Sequence, residues 1–311
     1  MKHITIVTGC YNEEENVQAL YEQVKYQLSK LPHYTYDHIF IDNASKDRTV
    51  EILKEVAAID KNVKVIVNTR NFGHIRSPFH ALLQAKGDAV ISIVADLQDP
   101  PEMIPELLKK WEDGFKVVVG VKPSAAENPI KAVVRRFCYR VFSKLTYVKQ
   151  IKNFTGFGLY DQKFIQALRQ LDDPYPYFRG LVADIGYEVA EIPYHQPKRE
   201  HGKTKNNFFT LYDMAILGLT SYSKAPIRLA AFLGFILSGF SFFLAIIFLA
   251  LKLIFWNHFA FGMAPILIGI FFFSSVQLFF IGMLGEYIAA IHTQVQKRPL
   301  VFELERINFD Q

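Results

Sequence analysis

Asp96 and Gln98 are the residues of this chain whose types and spacing best suit a divalent metal ion. They follow the apolar run 89–94, and on an extended segment two side chains that are two residues apart point the same way. A carboxylate and an amide oxygen suit a hard cation that keeps several waters and binds substrate phosphates. The pair therefore indicates a metal site. A helix start capped by Asp99 before Pro100 is the structural alternative, and both can hold together.

Polar residues also follow the other apolar runs of the N-terminal half. Tyr11, Asn12 and Glu13 follow the first run, Asp42 follows the second, and Arg70 follows the third. Ligands of open α/β sheets bind beyond the carboxyl ends of the strands, where an acid such as Asp42 can accept hydrogen bonds from a base or a ribose. The alternatives are a turn role for Asp42 and a favourable interaction of Glu13 with a helix dipole.

The elements that must position these residues alternate through the first 125 positions. β-Branched runs predict strands at His3–Thr8, His38–Asp42, Val63–Val67, Ala89–Val94 and Lys116–Val121. Helical spacing covers Glu15–Leu31, Asp47–Asp60, Ile75–Lys86 and Pro101–Asp113. This alternation predicts an α/β fold with a mostly parallel sheet covered on both faces. Residues 129–180 are predicted to be helical with a break at 154–158, and 186–206 to be a strand followed by a polar loop.

The distribution of charge predicts a membrane anchor in the C-terminal third. No Lys, Arg, Asp or Glu occurs from Leu229 to Leu251, and none occurs between Lys252 and Glu286. Each stretch is longer than the ~20 residues needed to cross a bilayer core. The alternative, a helix buried in a soluble core, does not require such a length. Residues 208–222 are predicted to form an amphipathic helix on the membrane surface. Basic residues outside both spans predict that the two termini are cytoplasmic.

Composition argues against several other classes of protein. The net charge is +5 and no long basic run occurs, so nucleic-acid binding has little support. Cys10 and Cys138 are the only cysteines, and their spacing supports neither a disulfide framework nor a zinc site. The first apolar run leads directly into three glutamates without a small-residue cleavage site, so it is predicted to be a strand and not a signal peptide.

Several motifs in order resemble the family 2 glycosyltransferases of the GT-A fold, and more narrowly the dolichol-phosphate mannose synthase and bactoprenol glucosyltransferase group. They are Cys-Tyr-Asn-Glu-Glu-Glu-Asn at 10–16, Asp-Asn-Ala-Ser-Lys-Asp-Arg-Thr at 42–49, Arg-Asn-Phe-Gly at 70–73, Ala-Asp-Leu-Gln-Asp-Pro-Pro at 95–101, Arg-Glu-His-Gly-Lys-Thr-Lys at 199–205, Leu-Gly-Glu-Tyr-Ile at 284–288 and Lys-Arg-Pro at 297–299. The resemblance covers nearly the whole chain. It implies a Rossmann-like GT-A catalytic domain at 1–206, an amphipathic juxtamembrane helix at 207–228, a two-helix transmembrane anchor at 229–290 and a cytoplasmic tail at 291–311.

The resemblance also implies a role for individual residues. The nucleotide would be bound by Tyr11, Asn12, Glu13, Asp42, Arg70 and Asp96. Asp96 and Gln98 would hold Mg²⁺ or Mn²⁺ against the diphosphate, and Asp96 and Asp99 would be the catalytic acids. The phosphates of donor and acceptor would be bound by Arg135, Arg136, Arg140, Arg199, Lys203 and Lys205. For these basic residues a solvated helix face or a solvated turn is the alternative.

Two positions depart from the family pattern. The family often has an acid where this chain has Val94, and it often has a proposed catalytic base where this chain has Gly156. A hydroxyl acceptor needs a base, but a phosphate monoester, with a second pKa near ~6, is already largely ionised at pH 7. The missing acid therefore favours a lipid phosphate acceptor, with Asp99 or Asp161 as remaining candidates for a base.

These features predict an inverting, metal-dependent enzyme that transfers a sugar from a nucleotide diphosphate sugar, expected to be a UDP-sugar, to polyprenyl (undecaprenyl) phosphate. It would act on the cytoplasmic face of the plasma membrane in cell-envelope glycan modification, and small residues in the first span allow a homo-oligomer. One alternative is a processive polysaccharide synthase. Such enzymes carry a Gln-x-x-Arg-Trp motif, and neither Trp111 nor Trp256 of this chain lies in one. The other is a non-catalytic membrane scaffold, which Val94 and Gly156 keep open.

Overall fold

The fold is a mixed eight-stranded sheet with helices on both faces, followed by two long apolar helices. The computed structural model describes residues 1–122, 146, 148, 151–197, 208–255 and 263–309. The strands in these ranges are β1 (Lys2–Cys10), β2 (Tyr34–Asp42), β3 (Val63–Asn68), β4 (Ala89–Val94), β5 (Val117–Val121), β6 (Phe154–Asp161), β7 (Val189–Pro193) and β8 (Glu303–Ile307). Their order in the sheet is β7-β5-β6-β4-β1-β2-β3-β8.

The described helices follow the strands in the alternating pattern that the sequence predicts. They are α1 (Val17–Ser29), α2 (Thr49–Ile59), α3 (Gly73–Gln84), a 3₁₀ turn (Pro101–Met103), α4 (Ile104–Glu112), α5 (Gln162–Arg169), α6 (Phe178–Asp184), α7 (Phe208–Tyr222), α8 (Ala225–Ile254) and α9 (Met263–Gln296). The predicted α/β fold with a mostly parallel sheet at its centre is confirmed.

The strand order places a topological switch point at β1. Parallel pairing joins β1 to β2 on one side and to β4 on the other, and β2 pairs parallel with β3. Ligands of open α/β sheets bind where the strand order reverses. The carboxyl ends of β1 and β4 therefore form the expected binding crevice, and candidate residues follow both of these strands as well as the adjacent β2 and β3.

Two buried clusters hold the helices on the sheet. One cluster joins the sheet to α1, α2 and α4, through side chains such as Leu20, Leu53 and Leu107. The other joins the opposite face to α3, α5 and α6, through side chains such as Phe79 and Phe164. Each apolar side chain removed from water stabilises the fold by roughly 1.5–3 kcal/mol.

The expectation of a helical break at 154–158 is wrong, because this segment begins β6. The strand runs antiparallel between β4 and β5. Phe157 and Leu159 join one buried cluster while Phe154 and Tyr160 join the other, which is the two-residue period of a strand. Glycines interrupt this period in the sequence. Gly158 is required because a Cβ there would lie 2.4 Å from the Val118 carbonyl oxygen.

Two of the described helices, α8 and α9, are long and apolar enough to cross a membrane. They contain 30 and 34 residues, and their apolar stretches are not buried against the rest of the chain. Phe235 is 79% exposed and Phe271 is 72% exposed, the reverse of what a core helix shows. The two candidate spans predicted from the charge pattern are thus present as continuous helices.

The chain returns to the eight-stranded sheet after α9. Strand β8 pairs antiparallel with β3. Glu303 contacts the His80 ring and accepts a hydrogen bond of 2.7 Å from Arg306 Nη2. Asn308 Nδ2 donates to the carbonyl oxygens of Ala57 and Val63 at 2.7 and 2.8 Å. The segment predicted as a tail, 291–311, therefore supplies the edge strand of the sheet.

Candidate active site

The loop after β1 is tied to the loop after β2. Asn12 adopts a left-handed backbone with φ 54°, a conformation that asparagine tolerates better than most residues. Its amide donates to Ser45 Oγ at 2.8 Å, and its Oδ1 accepts from the Lys46 amide at 2.8 Å. The Glu13 amide donates to Thr49 Oγ1 at 2.9 Å. Side-chain hydrogen bonds thus fix the segment that contains Tyr11. This segment belongs to the rim, by which we mean the loops at the carboxyl ends of the parallel strands β1 to β4.

Asp42 ends β2 and is fully buried. Its carboxylate accepts the Ser45 amide at 2.9 Å and also the Ser45 hydroxyl. Burial raises its pKa, and the hydrogen bonds from Ser45 oppose that rise. The turn role considered for Asp42 is therefore present, and its role in nucleoside binding stays a prediction.

Asn43 is a rim residue that the sequence analysis missed. Its Oδ1 accepts the Phe72 amide at 2.8 Å, and its Nδ2 donates to Asn71 Oδ1 at 2.9 Å, so it joins the ends of β2 and β3. Arg70 is exposed there, with its guanidinium 4.0 Å from the Phe72 ring centroid. The sequence signal for Asn43 was a polar residue close after a buried strand, but that signal was assigned to the neighbouring Asp42 alone.

Asp96 and Gln98 lie in a tight turn after β4, and the expectation that they share an extended segment is wrong. Leu97 between them has a left-handed backbone with φ 59°. The Gln98 amide donates to Asp96 Oδ1 at 3.2 Å, as in an Asx-type turn. The two residues therefore lie within one turn, where the geometry differs from the one that two-residue spacing on an extended segment predicts.

The residues of this turn fit a divalent cation that is completed by substrate. Within the described ranges, no group of three or more His, Cys, Asp and Glu side chains could hold a metal ion by itself. Mg²⁺ commonly takes one or two protein oxygens and fills its shell with waters and phosphate oxygens. A carboxylate at Asp96 and an amide oxygen at Gln98 match that donor set.

Asp99 does not cap the helix that follows it, so the expected capping role is wrong. The 3₁₀ turn begins at Pro101 without a side-chain cap. Instead Asp99 points back under the rim, where it is 3% exposed. Its carboxylate accepts the Tyr194 hydroxyl at 3.0 Å and the Val94 amide at 3.2 Å. The buried acid therefore ties β4 to Tyr194, which follows β7, and the sequence analysis did not identify Tyr194.

Asp99 is expected to make stability depend on pH between about 4 and 6. Burial, only partly opposed by the Tyr194 hydrogen bond, raises its pKa from 3.8 to about 6. The folded chain therefore binds an extra proton between these values, and this contribution to stability falls as pH rises through that window. Asp99→Asn should remove the trend. Melting temperatures of both chains from pH 4 to pH 8 test this, and parallel curves would contradict it.

Asp161 cannot act as the general base considered for it. It ends β6, whose antiparallel direction places it beside Ala89, at the start of β4 and away from the rim. Its carboxylate accepts the Trp111 indole N–H at 2.7 Å and pairs with Lys116 at 3.1 Å. Although burial opposes it, these contacts leave its pKa below the usual value. Asp161 therefore has a structural role, and it lies at the end of the strands opposite to the candidate site.

A cavity of about 160 Å³ lies beside Asp99. Ser92 and Val94 of β4 and Thr155, Gly156 and Phe157 of β6 contribute to its wall. The rest of the wall comes from α3, from residues 176–179 and from Met214 of α7. The cavity thus adjoins both the candidate metal turn and the helix that leads into α8.

Comparison with known proteins identifies the family of this chain. The sequence profile described as glycosyl transferase family 2 matches residues 5–168. The chain belongs to glycosyl transferase family 2. It is 33% identical over 302 residues to the uncharacterized glycosyltransferase YkcC of Bacillus subtilis, with 96% of this chain and 93% of that protein covered. It is 32% identical over 297 residues to the SfII prophage-derived bactoprenol glucosyl transferase of Shigella flexneri, with 95% and 96% covered.

Solved structures of sugar transferases are also similar to the chain. The mannosyltransferase PcManGT from Pyrobaculum calidifontis, in complex with GDP-Man and Mn²⁺, is 16% identical, with a TM-score of 0.47 and coverage of 95% of this chain and 87% of that chain. Mannosyl-3-phosphoglycerate synthase from Rubrobacter xylanophilus is 14% identical, with a TM-score of 0.49 and 75% of each chain covered. The family match, and not these structural likenesses, supports glycosyltransferase activity for this chain.

The two departures from the family pattern face the same cavity. Val94 is 45% exposed at the cavity wall, and Gly156 lines it without a side chain. Gly156 has φ +114°, a conformation that only glycine adopts without strain. The backbone as well as the sequence therefore disfavours an acid at position 156.

Restoring an acid by Gly156→Asp is expected to destabilise this glycosyltransferase without creating an efficient base. A side chain at φ +114° costs roughly 1–3 kcal/mol in backbone strain. Gly156→Ala should cause a similar loss, because the strain does not depend on charge and the nearest heavy atom to the new Cβ is 4.0 Å away. Melting temperatures of both variants test this, and an unchanged Asp variant would contradict it.

The six basic residues assigned to phosphate binding lie outside the described residues. They are Arg135, Arg136, Arg140, Arg199, Lys203 and Lys205. Their roles stay predictions. Within the described residues, Arg179 is a basic residue of the cavity wall that the sequence analysis did not identify.

Proposed function

We propose that this glycosyltransferase transfers a sugar from a UDP-sugar to polyprenyl phosphate, with undecaprenyl phosphate as the carrier, at the cytoplasmic face of the plasma membrane. In this proposal the reaction inverts the anomeric centre, uses Mg²⁺ or Mn²⁺ and serves cell-envelope glycan modification. The chain crosses the membrane twice with both termini cytoplasmic, and it is able to form homo-oligomers. Nucleic acid is not a partner.

One observation carries the proposal: one chain combines a phosphate-suited rim with two long apolar helices, and the end of α9 contacts the segment that leads into the cavity wall. Gln294 of α9 donates to Asp173 Oδ1 at 2.8 Å, and Lys297 pairs with Asp172 at 3.0 Å. Residues 176–179, a few positions further on, line the cavity beside the rim. The candidate anchor therefore contacts the segment that leads into the cavity wall, a useful arrangement when one substrate is soluble and the other resides in a bilayer.

The relatives support the choice of acceptor. Several are described as bactoprenol glucosyl transferases, and they match across 95% of this chain. A lipid phosphate also agrees with Gly156, because an ionised phosphate oxygen attacks without a protein base. The family and the chemistry of the site thus favour the same kind of acceptor.

The proposed mechanism is a single displacement at the anomeric carbon. A phosphate oxygen of the carrier forms the new bond as the bond to the nucleotide diphosphate breaks, so the configuration inverts. Asp96 and Gln98 would hold the cation, which supplies charge neutralisation to the departing diphosphate. Asp99, through the Val94 amide and the Tyr194 hydroxyl, holds the base of the metal turn in place.

A non-catalytic scaffold is the second candidate, and Val94 is the observation that favours it. An apolar side chain stands at a rim position where the family often has an acid. A scaffold would retain the fold and the anchor without metal-dependent transfer. The processive synthase alternative gains no support from the two candidate spans, since such enzymes have more.

Transfer from a panel of radiolabelled UDP-sugars into organic-extractable lipid tests the proposal. Membranes that contain the full chain are assayed with Mg²⁺, with Mn²⁺ and with a chelator. Metal-dependent label in the lipid fraction is expected with one donor, which also names the sugar. Label in polymer would favour the processive synthase, and label in neither fraction with every donor would favour the scaffold.

A further inference from the structure

The cavity beside Asp99 is mostly apolar and has the size of a small hydrocarbon. Its apolar wall includes Ile75, Phe79 and Leu82 of α3, Phe157 of β6, Phe178 of α6 and Met214 of α7. An apolar protein cavity of about 150 Å³ stays dry and binds a benzene-sized molecule. A cavity of about 160 Å³ therefore accommodates one branched five-carbon unit.

Two basic side chains line the same cavity. They are His74 near the start of α3 and Arg179 of α6. Partial enclosure and the nearby Arg179 guanidinium lower the pKa of His74, so the two groups lie close enough to interact. A guanidinium suits bidentate recognition of phosphate, and a neutral imidazole still donates one hydrogen bond. The pair provides a place for a phosphate monoester.

Asp99 also faces the cavity, and its charge would oppose an anion there. Lys122 lies near enough to lower the pKa of Asp99 against the larger effect of burial. The carboxylate is itself engaged by the Tyr194 hydroxyl and the Val94 amide. These three partners offset the negative charge of Asp99.

The departures at Val94 and Gly156 keep the cavity wall free of further charge. An acid at either position would add a carboxylate that an apolar ligand must desolvate. Met214, which also lines the cavity, belongs to α7, which ends directly before α8. The cavity is thus mostly apolar, has Arg179 and His74 in its wall, and includes a residue of the helix that precedes α8.

We propose that this cavity binds the first isoprene unit of the acceptor, with its phosphate held by Arg179 and His74. The assignment rests on the proposed function, because it names the part of the lipid acceptor that the site recognises. A branched isoprenoid fills the cavity better than a linear chain does, so the enzyme selects its carrier at the reacting end of the lipid.

Binding of two phosphates with the same main-chain length tests the assignment. Farnesyl phosphate and the unbranched dodecyl phosphate are titrated against the full chain in lipid nanodiscs, without donor. Farnesyl phosphate is expected to bind about fourfold more tightly, the effect of one additional buried methyl group. Equal affinity would overturn the assignment.

Ser92→Leu fills the cavity from β4 and is expected to weaken farnesyl phosphate binding about tenfold and to abolish the preference for it. Ser29→Leu, an exposed change on α1, is the matched control and should bind like the native chain. Met214→Trp fills the same cavity from α7 and serves if the melting temperature shows that Ser92→Leu is unfolded. Native affinity in a folded cavity-filling variant would overturn the assignment.

Arg179→Gln is expected to weaken both phosphates by about tenfold, and Arg179→Lys to recover part of that loss, because lysine retains the charge without the bidentate geometry. Unchanged affinity in Arg179→Gln would remove Arg179 from the site. These binding results separate the two proposals. Selective binding of farnesyl phosphate without sugar transfer would support the cavity assignment and contradict the proposed function. Sugar transfer that is unchanged in Ser92→Leu would support the proposed function and contradict the cavity assignment.

Discussion

Asp96→Asn is expected to lower metal-dependent sugar transfer at least about 10²-fold, the usual loss when one stabiliser of developing charge is removed. Asp96 supplies the carboxylate of the turn after β4, and within the described residues no larger acidic or histidine cluster could hold a metal ion in its place. The asparagine keeps the side-chain shape but removes the negative charge that attracts the cation. Transfer of label from the active UDP-sugar at saturating Mn²⁺ measures the effect.

Asp113→Asn is the matched control for this charge change. Asp113 follows α4, and its ion pair with Lys110 is exposed and long, at 3.8 Å. Such a pair contributes little to stability, so transfer should stay at the native level. If Asp96→Asn retained native transfer at every metal concentration, Asp96 would not be the metal ligand, and the mechanism proposed for this rim would fail.

Gly158→Ala is expected to destabilise the catalytic domain by about 3 kcal/mol, at the upper end of the usual range for overpacking. The new Cβ would lie 2.4 Å from the Val118 carbonyl oxygen, and that atom belongs to the backbone of the neighbouring strand. The pairing of β5 with β6 must therefore shift. Chemical denaturation of the detergent-solubilised chain, followed by near-UV circular dichroism, measures the change.

Gly234→Ala is the matched control, because nothing lies within 4 Å of a Cβ built at that helical position. Alanine is favoured over glycine in a helix by up to about 1 kcal/mol, so this variant should be unchanged or slightly more stable. Equal stabilities for Gly158→Ala and the native chain would mean that β5 and β6 are further apart than the structure shows.

The central part of the fold could be predicted from sequence because its signals are local. Strands such as Ala89–Val94 are continuous apolar runs bounded by polar residues, and the structure has the same limits for that strand. Helix α7 likewise spans Phe208–Tyr222 as predicted. The two apolar helices follow from an absence of charge that is longer than a bilayer requires.

The elements that the sequence did not reveal depend on contacts between distant segments. Strand β6 has glycines where side chains would show its period: Gly158 is needed because β5 approaches closely, and Gly156 because its φ is positive. Strand β8 lies after both apolar helices, and no local pattern indicates that it pairs with β3. The turn that holds Asp96 depends on a left-handed Leu97, which residue type does not predict.

The site was predictable in its residue types but not in its geometry. Asp96 and Gln98 do lie at the carboxyl end of β4, next to the switch point. The buried contact of Asp99 with Tyr194 depends on a residue almost a hundred positions away. The cavity that Arg179 lines is likewise built from segments that are distant in sequence. Such partners become visible only when the sheet order is known.

The position of β8 in the sheet limits how the two apolar helices, which precede it in the chain, can enter a bilayer. β1 and β8 belong to one sheet, with β2 and β3 between them. The first and last strands must therefore lie on the same side of any bilayer that α8 and α9 enter, whatever the charges on the flanking loops. The number of crossings is then even. During synthesis, the β3 edge stays open until both apolar helices have been made, so the sheet is completed only after the whole apolar region has left the ribosome.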